Sequence, residues 1–158
     1  MKNLKNLLKT PLQLQLLPKW LPIVLLIIAF IGFADATFLT VKHYQGEIPP
    51  CTIDGCETVL TSRYSEFMGI PQSLFGSIYY LVVAILLFAH LDSKKEIYLR
   101  IALALSVVGC LASLYFIFLM AFIIKAFCQY CALSALSSIS IFGFAVYVFA
   151  KNHNHKNN

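Results

Sequence analysis

Leu119-Met-Ala-Phe-Ile-Ile-Lys125-Ala-Phe-Cys128-Gln-Tyr-Cys131-Ala-Leu-Ser134 sits at the centre of an apolar run from Ile101 to Ala150, and Lys125 is the only charge in that run. A helix needs about 20 apolar residues to cross the hydrocarbon core of a bilayer, so the run is too long for one span. An ammonium group held in that core costs about 3 kcal/mol. The chain therefore surfaces at Lys125, and the run divides into two spans with Cys128 and Cys131 at the entrance of the second. Working outward, two more neutral stretches reach membrane length: Phe67 to Leu91, and Trp20 to Val41 with Asp35 as its single interruption. The expected fold class is all-α, an integral membrane bundle of four transmembrane helices. The spans are expected at about 20–41, 73–91, 99–122 and 127–150, with an outward loop, 42–72, forming an extracytoplasmic cap between the first two. Residues 1–19 are expected to be a cytoplasmic or interfacial segment and 151–158 a cytoplasmic tail.

Composition agrees: 59% of residues are hydrophobic and 12% charged, against about 25% charged in soluble domains. The net charge of +5 does not indicate nucleic acid, because the lysines flank apolar spans rather than interleaving with aromatic residues. They indicate topology instead. With four spans, Lys2, Lys5, Lys9, Lys19, Lys94, Lys95, Arg100, Lys151 and Lys156 share one side, opposite Lys42, Arg63 and Lys125. That asymmetry puts both termini in the cytoplasm and the cysteine pairs on the extracytoplasmic face of the inner (plasma) membrane. A competing reading makes Leu21 to Phe33 a signal peptide cleaved near Ala34-Asp35-Ala36. The long basic segment before it, with Pro11 and Pro18, and with Leu4, Leu7 and Leu8 at helical spacing, favours a retained first helix.

In the outward loop, Pro49-Pro50 stiffens the backbone and Asp54-Gly55 signals a turn, so Cys51 and Cys56 can meet. Pro71 is tolerated at the start of the second span but not inside it. Cys128-Gln-Tyr-Cys131 opens the fourth helix, where free N–H groups favour a thiolate, with Cys128 the more acidic thiol and Lys125 adding positive potential. A CxxC pair in a membrane helix can also be plain packing, since cysteine behaves as a small hydrophobe; Cys110 is read that way. Two pairs on one side can exchange disulfides, passing two electrons inward. The same four thiols could instead make a zinc site, or serve a mercury or copper carrier as soft ligands. His153 and His155 lie in the polar tail and read as solvated. Asp35, an intramembrane carboxylate, is a functional candidate by default.

Taken together, Cys56-Glu-Thr-Val-Leu-Thr-Ser62, Gly69-Ile-Pro-Gln72-Ser-Leu-Phe75-Gly76 and Cys128-Gln-Tyr-Cys131 resemble the vitamin K epoxide reductase family, bacterial branch, across Trp20 to Ala150. The resemblance implies a four-helix bundle around a quinone, with the loop cysteines as a shuttle and the CxxC as reaction centre. By position, Cys51 would take electrons from a partner thiol, Cys56 would form a mixed disulfide with Cys128, and Cys131 would face the quinone. Ser62 would hold the loop near the inner disulfide. Gln72 stands where animal relatives use an asparagine against the quinone carbonyl, and Leu60 and Phe75 would line the ring pocket. Two positions depart from the pattern. The loop cysteines are closer in sequence than in many relatives, and Ala135 replaces the tyrosine that animal enzymes carry four positions after the CxxC. The second departure favours ubiquinone or menaquinone over vitamin K epoxide. The chain ends soon after the fourth span, so the implied thioredoxin-fold partner would act in trans.

Overall fold

The computed structural model describes residues 20–51 and 55–156, with side chains described as far as residue 150. The expected interfacial segment 1–19, Asp54 of the loop turn, and the side chains of His153 and His155 lie outside the described residues. Along the chain run α1 (Leu21–Gln45), a short α2 (Cys56–Leu60), two-residue strands β1 (Glu66–Phe67) and β2 (Ile70–Pro71), α3 (Gln72–Ser93), α4 (Glu96–Phe118) and α5 (Gln129–Lys156). A π-helical turn, Leu119–Ile124, continues α4. Among the described residues four helices are long and apolar enough to cross a membrane: α1, α3, α4 with its π turn, and α5.

The helices outrun the expected spans, furthest at two C-terminal ends, each for a local reason. α1 continues to Gln45 and stops at Gly46, whose φ of +68° suits a residue without Cβ. The Gly46 N–H returns to the His43 carbonyl and that of Glu47 to Lys42, a Schellman closure. The Lys42 ammonium pairs with Glu47, so the polar last turn costs little. α5 continues to Lys156; the sequence from Ala150 onward contains no proline or glycine to stop it. α3 starts at Gln72, directly after Pro71 at its N-cap.

The bundle closes as a ring in which α1 touches α3 and α5, and α4 touches the same two, leaving α3 and α5 diagonal to one another. The tightest seam joins α1 and α3. Without a hydrophobic driving force in lipid, helices associate through close packing and side-chain hydrogen bonds. Gly32 admits the ring of Tyr80, Ala36 faces Gly76, Thr37 and Ser77 share a hydrogen bond of 2.8 Å, and Thr40 donates to Ser73 at 3.0 Å. At the end of the bundle away from the loops, Leu25, Val83, Leu87, Leu103, Ile141 and Val148 form a continuous buried core. Ile27, Phe30, Phe88, Val108 and Leu136 point outward and are exposed, as a helix face turned to lipid requires. Near the loops the bundle is hollow, and the loop segment forms a lid over that end.

Candidate active site

The break between α4 and α5 places the CxxC. Lys125 ends the π turn in the left-handed region, φ +55°, with its side chain exposed, and residues 126–128 run without helix to Gln129. The loop lies directly on this segment. A Cβ on Gly55 would stand 3.1 Å from the Ala126 Cβ and 3.3 Å from the Phe127 N and O. Gly55 caps α2 at φ +116°, so its lack of a side chain serves both the turn and the close approach. Cys56 follows at once. Cys56 and Cys128 are both buried in one cluster with Val59 and Met120, and Cys51, Cys131 and Leu60 pack against it. Cys51 and Cys56 are disulfide-bonded, whereas Cys128 and Cys131 are thiols. Tyr130, inside the CxxC, donates its hydroxyl to the Pro50 carbonyl at 2.8 Å, which ties the residue next to Cys51 to the start of α5. The structure thus brings the two expected pairs together.

Behind the cysteines lies a cavity of about 320 Å³. Each helix lends one face to it: Ala36, Leu39 and His43 from α1; Gln72, Phe75, Gly76, Tyr79 and Tyr80 from α3; Gly109, Ala112, Ser113 and Phe116 from α4; Cys131, Ser134, Ala135 and Ser138 from α5. Leu60 and Ser62 close it from the loop side. All four expected pocket residues, Leu60, Ser62, Gln72 and Phe75, therefore line one space. Cys131 lines it too, while Cys51, Cys56 and Cys128 do not. Ser62 donates to the Val59 carbonyl at 2.7 Å and its own carbonyl accepts from Ser65, which in turn receives the Gln72 N–H at 2.9 Å. That chain of bonds holds α2 over the cavity. Phe75 is 45% exposed, so it is a wall shared with the bilayer rather than a core residue.

His43, Tyr79, Tyr80, Ser134 and Ser138 were not singled out by sequence reading. The signal was present in the helical period: Gln72, Phe75, Gly76 and Tyr79 on one helix, and Cys131, Ser134, Ala135 and Ser138 on another, both follow i, i+3, i+4, i+7. His43 pairs with Glu66 at 3.2 Å and links the end of α1 to the lid. The Tyr80 hydroxyl donates across the bundle to the Ser134 carbonyl. Asp35 is buried, and its Oδ2 has no hydrogen-bond partner among the described residues.

Cys128 has its thiol pKa lowered from the usual range to about 7. A hydrogen bond from the Cys131 thiol is the main cause, burial opposes it, and the backbone N–H groups of Cys131 and Tyr130 at the start of α5 assist. The expected contribution of Lys125 is not among the causes; helix end and neighbouring thiol suffice. A thiol with this pKa is about half ionised at pH 7, where an ordinary one at about 8.5 is ionised by only a few per cent. The sign follows: raising the pH through 7 exposes the Cys128 thiolate, and lowering it removes the thiolate. In a protein with Cys51, Cys56 and Cys110 replaced by Ala, alkylation of Cys128 is expected to reach half its maximal rate near pH 7. Adding Cys131→Ala removes the donor and moves that midpoint up toward about 8.5; quantitative mass spectrometry of the alkylated peptide reads both.

Compared with known protein families, residues 23–146 match the vitamin K epoxide reductase family. The chain belongs to this family. It is accordingly a multi-pass membrane thiol oxidoreductase, in a family whose members in general use quinones and work with thioredoxin-like partners. The cavity of this family member fits a planar quinone. Its walls, Leu39, Phe75, Phe116, Leu119 and Met120, are apolar, and its polar groups include two buried hydroxyls that face each other, those of Tyr79 and Ser138.

Proposed function

We propose that the protein oxidises the dithiol of an extracytoplasmic thioredoxin-fold protein and delivers the electrons to ubiquinone or menaquinone, so supporting disulfide bond formation outside the inner (plasma) membrane. The observation that carries this reading is the division of labour among the cysteines: Cys131 lines the cavity, and Cys128 is buried against Cys56 of the loop disulfide. In this reading both termini are cytoplasmic and the lid faces outward, which the bias of lysines toward the termini supports.

The partner's thiolate attacks Cys51, leaving Cys56 as thiolate; the partner's second thiol then resolves the mixed disulfide and departs oxidised. With the loop pair reduced, the Cys56 thiolate attacks the Cys128 sulfur of an oxidised CxxC. The Cys56–Cys128 bond forms, the Cys128–Cys131 bond breaks, and Cys131 is released at the cavity wall. Cys51 then attacks Cys56 and expels Cys128, restoring the loop disulfide. Cys128 suits that departure, because a thiol of lowered pKa leaves faster. The transfer leaves the loop disulfide re-formed and the CxxC as a dithiol. When bound, the quinone supplies an acceptor for the two electrons and two protons of that dithiol.

The test uses the purified protein in lipid nanodiscs with a reduced thioredoxin-fold dithiol protein and either quinone. One quinol is expected per dithiol oxidised, and in cells both cysteine pairs are expected to cycle between oxidised and reduced forms. Absence of quinol with both quinones, or pairs that stay permanently reduced in an oxidising compartment, would sink the proposal.

A further inference from the structure

We propose that the Tyr79 and Ser138 hydroxyls form a second polar anchor at the inner end of the cavity, donating a hydrogen bond to the quinone carbonyl that points away from the cysteines. The inference rests on the quinone reading above and assigns two residues to it. Successive spans reverse direction, so α3 and α5 run the same way through the membrane. Gln72 and Tyr79 are seven residues apart on α3, as are Cys131 and Ser138 on α5, a rise of about 10.5 Å in each case. The cavity therefore has a polar end under the lid, at Gln72 and Cys131, and a polar end two turns deeper, at Tyr79 and Ser138. Between them the lining includes Phe75, Gly76, Ala112 and Ala135, which are apolar and mostly small. A flat ring with a carbonyl at each end matches that sequence of surfaces.

The deep end carries the signs of a site made for a ligand. The Tyr79 Oη and Ser138 Oγ are both buried and face one another, and neither has a well-aligned hydrogen bond to any other group among the described residues. Ser138 as a whole is 2% exposed. Buried hydroxyls are normally fully hydrogen-bonded, and a pair that faces only itself leaves one O–H free to donate to a ligand. Both oxygens converge on Gly109 of α4, where an added Cβ would collide with the Tyr79 hydroxyl and with Ser138 Oγ. The missing side chain at residue 109 thus keeps the two hydroxyls reachable from one space. Ala135 lies one turn above Ser138 on the same face and offers no hydroxyl.

The experiment measures quinone binding to the full-length protein in nanodiscs by equilibrium dialysis, together with the carbonyl infrared bands of ubiquinone labelled with carbon-13 at single carbonyls. Hydrogen bonding lowers a carbonyl stretching frequency, a signature that a purely structural role would not move. Tyr79→Phe, which keeps the ring, is expected to weaken binding about fivefold, as loss of one neutral hydrogen bond implies, and to return one of the two carbonyl bands toward its unbonded position. Ser138→Ala is expected to move the same band by less. Thermal unfolding checks that each variant folds, and Ser138→Ala serves if Tyr79→Phe does not. Wild-type binding with band and affinity unchanged in both variants would overturn the anchor while leaving the quinone reading intact. Failure of the wild type to bind or reduce either quinone would overturn the reading itself, and the anchor with it.

Discussion

Cys131→Ala is expected to reduce quinone-dependent dithiol oxidation to background, a loss of at least about a thousandfold, as removal of a group that takes part in the covalent chemistry does in other enzymes. The reason is positional. Cys131 is the one cysteine of the described residues that lines the cavity, so without it no thiol faces the acceptor. The variant retains its loop disulfide, and the partner should still reduce Cys51–Cys56 once per protein and then stop. Rapid quenching with a mass-tagged alkylating reagent separates the two outcomes: one stoichiometric burst of loop thiols without quinol formation is expected. Continued turnover in Cys131→Ala would show that electrons reach the cavity by another route and would break the order assigned to the relay.

Gly55→Val is expected to slow transfer from the loop pair to the CxxC by about a hundredfold, the penalty that a displacement of about 1 Å between reacting groups carries. Two causes add. A backbone at φ +116° disfavours any side chain and a β-branched one most. The new side chain also enters the space of Ala126 and Phe127, and that backbone cannot retreat without moving Cys128. Gly46→Ala separates the causes, because Gly46 also has positive φ, +68°, but nothing stands within 4 Å of its Cβ position. That control bears only a conformational cost of about 1–2 kcal/mol and should leave transfer nearly as fast as in the wild type. The rate is read by mixing loop-reduced protein carrying a CxxC disulfide and quenching with acid. A Gly55→Val rate within about twofold of the wild type would show that the lid need not rest on residues 126–127 for exchange.

Much of the architecture was legible from charge and hydropathy alone. Lys125 divides an apolar run that would otherwise read as one over-long span, and the same argument places the CxxC at a helix entrance beside the loop pair. These inferences succeed because the cost of a charge in hydrocarbon is local and large, independent of neighbouring helices. Helix ends were less legible. The closure at Gly46, with Lys42 paired to Glu47, lets α1 pass its expected limit, and the π turn before Lys125 leaves no mark in hydropathy.

The pocket was legible only in part. Leu60, Ser62, Gln72 and Phe75 came from resemblance to a family, while Tyr79 and Ser138 belong to no motif, although they share the helical faces of Gln72 and Cys131. Helical period says which residues share a face but not which faces meet. The sequence by itself determined that the chain lies in a membrane, where it crosses, and that four cysteines gather at one end. Tertiary structure put Cys131 rather than Cys128 at the cavity wall, a placement that the resemblance implied but spacing by itself did not give. It also decided that two buried hydroxyls converge on Gly109. Both depend on the close approach of helices through small residues, where a single missing methyl, at Gly32 against Tyr80 or at Gly109 against Tyr79, sets which side chains share a space.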